Sequence, residues 1–131
     1  MAQYQNLPVF KEAYDLLLRV YAVSHTFQRD YRFTLGEDLK KTLMGMMVGM
    51  YHANRSQNED KLPHVADCRR QIEEIKIYFR LLHDLKQLPL KQYTRLAESS
   101  ENVSKQLAAW EKYLKDKPRK DAAAAAAGGG G

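Results

Sequence analysis

Arg69, Lys76, Arg80 and His83 follow one another at intervals of seven, four and three residues. On a helix that turns about 100° per residue, these spacings gather the four side chains into one narrow arc. Glu73 is the only acid of the same segment inside that arc, and Arg70 lies on the adjacent face with Glu74 at the spacing of an i,i+4 ion pair. Two chemistries fit. One is a solvated helix face with local ion pairs. The other is a surface that attracts phosphates regardless of sequence, strengthened when several subunits display it together and weakened by salt. Lys40, Lys41 and Arg55 in the preceding segment, and the five cations of Lys112–Lys120, would enlarge such a surface. The balance of 21 Lys+Arg against 16 Asp+Glu, a formal charge of +5, is compatible with a polyanionic partner without requiring one.

Catalytic patterns are missing. His25, His52, His64 and His83 stand in separate segments, and there is no HExxH, no nucleophile elbow and no phosphate-cradling GxxxxGK[ST] or GxGxxG. The Glu-x-x-His pairs of di-iron bundles are also missing, since Asp67 and Glu73 have no such histidine partner. The single cysteine, Cys68, has no partner for a disulfide and no zinc-ligand spacing. On the inner face of a helix it reads as a small core residue rather than a reactive thiol. The expectation is a protein that is not an enzyme, with no metal and no cofactor. The longest uncharged stretch, Thr42–Asn54, is short of the roughly 20 residues a membrane span needs. The start of the chain lacks the basic and apolar regions of a signal peptide. Both points, with the lone cysteine, fit a cytoplasmic protein away from membranes.

The elements that must position these residues are set off by proline. Pro8, Pro63 and Pro89 suit first turns, where a missing N–H is harmless, and Pro118 is expected to end the last helical pattern. A first helix over about 8–27 places Phe10, Ala13, Tyr14, Leu17, Val20, Tyr21 and Ser24 on one side. After a polar turn at 28–33, Thr34-Leu35-Gly36-Glu37 has the spacing of a capping box and starts a second helix with Leu35, Leu39, Leu43, Met46, Met50 and Ala53 inward. Asp60 is placed to cap a third helix carrying Val65, Cys68, Ile72, Ile75, Phe79 and Leu82 inward. The fourth presents Tyr93, Leu96, Ser100, Val103, Leu107, Trp110 and Leu114, the seam of a bundle. No segment alternates with the period of a strand. The fold class is therefore all-α, an up-down-up-down antiparallel four-helix bundle over residues 1–120. The six alanines and four glycines of 121–131 form a linker or appended tail.

Two helices carry more apolar surface than one bundle needs. The second has a back face of Lys41, Met44, Val48, Tyr51 and Arg55, and the third has a second stripe of Ile77, Tyr78, Leu81 and Leu85. Either the core is wide, with some apolar residues left exposed, or these faces bury one another in a homo-oligomer. Gly45 and Gly49, one turn apart, each cost about 1 kcal/mol of helix stability relative to alanine, which points to a close helix-on-helix approach.

Further motifs carry a resemblance. Leu7-Pro8-Val9-Phe10-Lys11-x-Ala13-Tyr14, Phe27-x-Arg29-x-Tyr31-Arg32-x-Thr34-Leu35-Gly36-x-x-Leu39 and Ala53-Asn54 resemble a bacterial four-helix-bundle family. That family takes in proteins encoded in ribosomal-RNA intervening sequences and the accessory variability proteins of diversity-generating retroelements. Many members continue Ala-Asn-Ile-Ala-Glu-Gly after the second helix. Here Arg55-Ser56-Gln57 stands instead, which favours the retroelement branch. The resemblance implies a pentameric barrel of bundles that binds nucleic acid, template RNA or DNA, and a partner reverse transcriptase during mutagenic cDNA synthesis. Lys76 and Arg80 are the cations it carries over, with Arg69, Lys40, Lys41 and Arg55 as candidates beside them. Met44, Val48, Tyr51, Ile77, Tyr78, Leu81 and Leu85 are the candidate subunit interface. The alternatives are a generic RNA-binding bundle of the ribosomal branch and an interaction module without nucleic-acid function.

Light scattering tests the assembly. The chain without its last eleven residues should show about five monomer masses, and charged residues at Ile77 and Leu81 should lower that mass while preserving helical circular dichroism. A monomer at micromolar concentration would contradict the assembly.

Overall fold

The structure, a computed structural model, describes the backbone of residues 7–129 and the side chains of 7–57 and 59–117. The first six residues, Gly130, Gly131 and the side chains of Arg119 and Lys120 in the basic end therefore lie outside the described residues. The elements are α1 (Pro8–Ser24), the single turn α2 (Arg29–Arg32), α3 (Leu35–Arg55), a 3-10 turn (Asn58–Asp60), α4 (Lys61–Asp84) and α5 (Leu90–Gly129). The four long helices form a bundle, and no strand occurs among the described residues. Contacts are densest between α3 and α4, then between α4 and α5, and α1 closes the ring against α5 and α3. The order around the bundle is thus α1, α3, α4, α5.

One core runs through the bundle. Ala13, Leu16 and Val20 meet Leu39, Leu43, Met46 and Met50 of α3, Ile72, Ile75, Phe79 and Leu82 of α4, and Leu96, Val103 and Leu107 of α5. Ala53, Val65 and Leu114 form a second, smaller cluster with the half-buried Leu62 and Trp110. The inner stripes expected for α3 and α4 are buried, apart from a half-buried Leu35. In α1 the stripe is turned. Val9 and Leu16 are inside, whereas Tyr14 and Tyr21 are 49% and 48% exposed. A branched aliphatic fills the central space without a polar atom to satisfy, while a tyrosine hydroxyl reaches water from the flank.

The helix ends depart from the expected chemistry. Thr34 makes no capping box; its hydroxyl is turned back to Asp30 O, donating at 2.6 Å, and ties α2 to α3. Asp60 does not cap α4 with its side chain, since the 3-10 turn already holds its backbone in a right-handed helical conformation. Lys61 reaches back instead and donates to Ala53 O and Asn54 O at 2.9 and 3.0 Å, satisfying carbonyls in the last turn of α3. Nor does α5 end at Pro118. Its backbone continues helical through Ala122–Ala127, a run of the strongest helix former.

At the opposite end of α4, Lys86 is the one non-glycine residue described with a positive φ, 64°. Its N–H donates to His83 O and that of Gln87 to Leu82 O, the two bonds of a Schellman turn. The buried Gln87 side chain then accepts from Gln28 N–H at 2.7 Å and donates to Leu85 O at 3.0 Å. This joins the α4–α5 turn to the start of α2. Nearby, Phe27 plugs the core, and Arg32 donates to His25 O and Phe27 O.

Lys86→Gly should therefore raise stability by about 0.5–1 kcal/mol, because glycine occupies the left-handed region without steric cost. Gln87→Ala should lower it by about 1–3 kcal/mol by leaving buried partners unpaired. Urea denaturation midpoints check both, and equal midpoints would contradict the turn's role.

Candidate functional site

The basic arc of α4 faces α5 along one flank, and α5 supplies acids that the spacing on α4 alone does not reveal. Arg69 pairs with Glu111 at 2.5 Å, and Lys115 lies 3.5 Å from the same carboxylate. Lys76 sits between Glu101 at 2.5 Å and Glu73 at 3.1 Å, with its side chain only 24% exposed. Ser104 donates to Glu73 from α5, which completes a polar seam between the two helices. His83 belongs to the same seam. Its ring stacks on Tyr93 with centroids 4.5 Å apart, and its Nδ1 lies 2.8 Å from Leu88 O.

Arg80 differs from its neighbours in the arc. It points to solvent with 70% of its side chain exposed, paired only with Asp84 of its own helix at 3.1 Å. Arg70 is likewise outward, beside Asp67 and Glu74. On α3, Lys40 lies over the Tyr21 ring at 4.4 Å and 3.5 Å from Glu37, so it is occupied at the α1–α3 flank. Lys41 is exposed and has no ion pair among the described residues. Arg55 is exposed, donating to the Tyr51 hydroxyl at 2.6 Å. The six cations thus divide into three held by other elements or by half-buried acids, Arg69, Lys76 and Lys40, and three that present charge outward, Arg80, Lys41 and Arg55.

The apolar candidates also separate. Met44, Val48 and Tyr51 join Phe10, Tyr14 and Met47 around a groove of about 370 Å³ between α1 and α3. Ile77, 67% exposed, and Leu81 stand one turn apart on the outside of α4, whereas Tyr78 and Leu85 are half-buried and Tyr78 packs on the core. Among the described residues no group of three His, Cys, Asp or Glu side chains could hold a metal, and no helix is long and apolar enough to cross a membrane. Burial, then the charge of Asp67, pushes the Cys68 thiol up to about 12, so it stays protonated at neutral pH. The sequence reading missed a groove of about 330 Å³ between α1 and α5 that holds Arg19 and Arg95. Helical periodicity reports neighbours on one helix and is silent on residues of two.

The seam sets a pH dependence. Burial would raise the Glu111 carboxyl, but the Arg69 and Lys115 charges outweigh it and hold it below its ordinary value of 4.5. Hydrogen bonding and charge from Lys76 do the same for Glu101. A depressed carboxylate contributes stability that is present above 4.5 and lost as pH falls through its folded value. For Lys76, burial lowers the value but is outweighed by Glu101 and Glu73, so it stands above 10.5 and its contribution is lost only in strong alkali. Glu111→Gln should lower stability at pH 7 by about 1 kcal/mol. It should also flatten the fall below pH 4.5, as measured by urea unfolding across pH 3–7. An unchanged acid limb would contradict the seam's role.

With this geometry in place, the chain can be set beside known proteins. No curated protein matches the chain. The model of the bAvd-like family matches over residues 8–114, which includes all of α1 through α4 and the described bundle-facing part of α5. Members of that family are accessory proteins of diversity-generating retroelements, and by this match the chain belongs to it, the bacterial accessory variability proteins.

Proposed function

We propose that this protein is a noncatalytic accessory factor that holds a reverse transcriptase and its template nucleic acid together during mutagenic cDNA synthesis. The family match over residues 8–114 carries this reading. It works in the cytoplasm without a cofactor, and the polymerase supplies the metal chemistry. The order of contacts along α3 and α4, with Gly45 near Gln71, Gly49 near Cys68 and His52 near His64, supports an antiparallel pair within an up-down-up-down bundle. The exposed Met44, Val48, Ile77 and Leu81 support burial between subunits of a pentamer.

In this reading the outward cations Arg80, Lys41 and Arg55 meet phosphate or acidic polymerase surface. Arg69 and Lys76 act mainly by fixing α4 against α5, because their charges are already matched by Glu111 and Glu101. Contacts of this kind are sequence-independent, and their strength falls steeply with salt. Lys41→Ala/Arg80→Ala should weaken binding of single-stranded RNA and of the reverse transcriptase at least tenfold. Lys11→Ala/Lys105→Ala, which removes the same charge, should not. Fluorescence anisotropy and co-purification at matched oligomer mass make the comparison. Equal binding by both variants would overturn the assignment of these cations.

A further inference from the structure

The groove between α1 and α5 lies across the bundle from the α3–α4 pair and belongs to none of the surfaces above. Arg19 and Arg95 stand at it, and neither has a carboxylate within 4 Å among the described residues. Acids are close by. Glu12, Asp15 and Glu98 share an adjoining polar cleft with both arginines. Glu12 accepts from Asn102 at 3.1 Å and Ser99 at 3.4 Å instead, and Asp15 and Glu98 pair with neither guanidinium. In contrast, Arg69, Arg70, Lys76 and Arg80 each have an ion pair.

We infer that this groove is a binding site for one nucleotide unit, its phosphate held by Arg19 and Arg95 and its base laid on Ala22, Val23 and Leu96. Guanidinium groups present fork-shaped donors that match phosphate oxygens two at a time. Val23 and Leu96 supply an apolar floor, and Gln92 an amide able to donate to and accept from a base edge. Thr26 donates its proton to Val23 O at 2.7 Å, which leaves its oxygen as an acceptor. The volume of about 330 Å³ falls at the small end of ligand clefts, roughly 300–1,000 Å³, room for a single nucleoside phosphate. The nucleotide is either free or one residue of a single strand. The inference rests on the nucleic-acid reading only in choosing a nucleotide over other phosphates.

Adenosine monophosphate, inorganic phosphate and a twelve-residue oligoadenylate RNA distinguish the cases, with calorimetry for the first two and anisotropy for the third. Arg19→Ala/Arg95→Ala should weaken adenosine monophosphate at least tenfold with unchanged helicity and mass. Arg19→Lys/Arg95→Lys should restore only part of that loss, and the charge-matched Lys11→Ala/Lys105→Ala should keep the nucleotide affinity of the unaltered protein. A parallel loss of RNA affinity in Arg19→Ala/Arg95→Ala assigns the site to a strand. Loss of the mononucleotide alone assigns it to a free nucleotide, and holds even where RNA fails to bind the unaltered protein and the reading above fails. Inorganic phosphate binding as tightly as the nucleotide, or an unaltered protein that does not bind the nucleotide, would overturn the site. So would equal nucleotide affinity in Arg19→Ala/Arg95→Ala. RNA binding lost only in Lys41→Ala/Arg80→Ala would then leave the proposed function standing.

Discussion

The close approach of α3 to α4 at two glycines is the constraint from which the remaining geometry follows. A Cβ on Gly49 would lie 2.9 Å from Cys68 Sγ, and one on Gly45 would lie 3.1 Å from Gln71 Nε2. Without those methyl groups α4 comes near enough for the Cys68 thiol to donate to Met46 O at 3.3 Å. Two glycines inside a helix cost about 2 kcal/mol together relative to alanine. The dense packing of Met46 and Met50 against Ile72 and Ile75 in the shared core opposes that cost. Fixing α4 at this distance also fixes its rotation. The Val65–Leu82 stripe goes inward, the Arg69 and Lys76 flank goes to α5, and Ile77 and Leu81 are left outside.

Rotation in turn decides what each cation can do. A lysine between two carboxylates, as Lys76 is between Glu73 and Glu101, has its field largely cancelled and contributes mainly to the register of α4 on α5. Arg80, one turn further on, has only its intrahelical Asp84 and faces water. The same side chains that read as one stripe on a helical wheel therefore do two jobs: Arg69, Lys76 and His83 meet α5, and Arg80 between them faces water. On the far side of the bundle the pattern reverses. Arg19 and Arg95 come from different helices, share one groove and lack carboxylate partners.

Sequence made some of this legible and hid the rest for physical reasons. The α4 core stripe could be read residue by residue because polar and charged side chains separate it from the outer stripe. In α1 the aromatic and aliphatic residues are mixed around the helix, and only packing chose Val9 and Leu16 over Tyr14 and Tyr21. The glycine pair was legible as a close approach, but not which thiol and amide it admits. Thr34 and Asp60 have the residue types of caps. The Thr34 hydroxyl is turned to Asp30 O of α2 and the Asp60 backbone is held in the 3-10 turn, so local propensity yielded to the neighbouring elements. Glu101 and Glu111 could not be assigned to Lys76 and Arg69 from spacing, because the pairs join two helices.

The double-mutant cycle of Gly49→Ala with Cys68→Ala addresses the glycine contact most directly, read as unfolding free energy in urea. A methyl forced against Cys68 Sγ should cost about 1–3 kcal/mol. Removing the sulfur should recover most of that loss, so that the double variant lies close to Cys68→Ala alone with a coupling of at least about 1 kcal/mol. Additive effects would contradict the account, as would a Gly49→Ala variant stabilised by the roughly 1 kcal/mol that helix propensity alone would give.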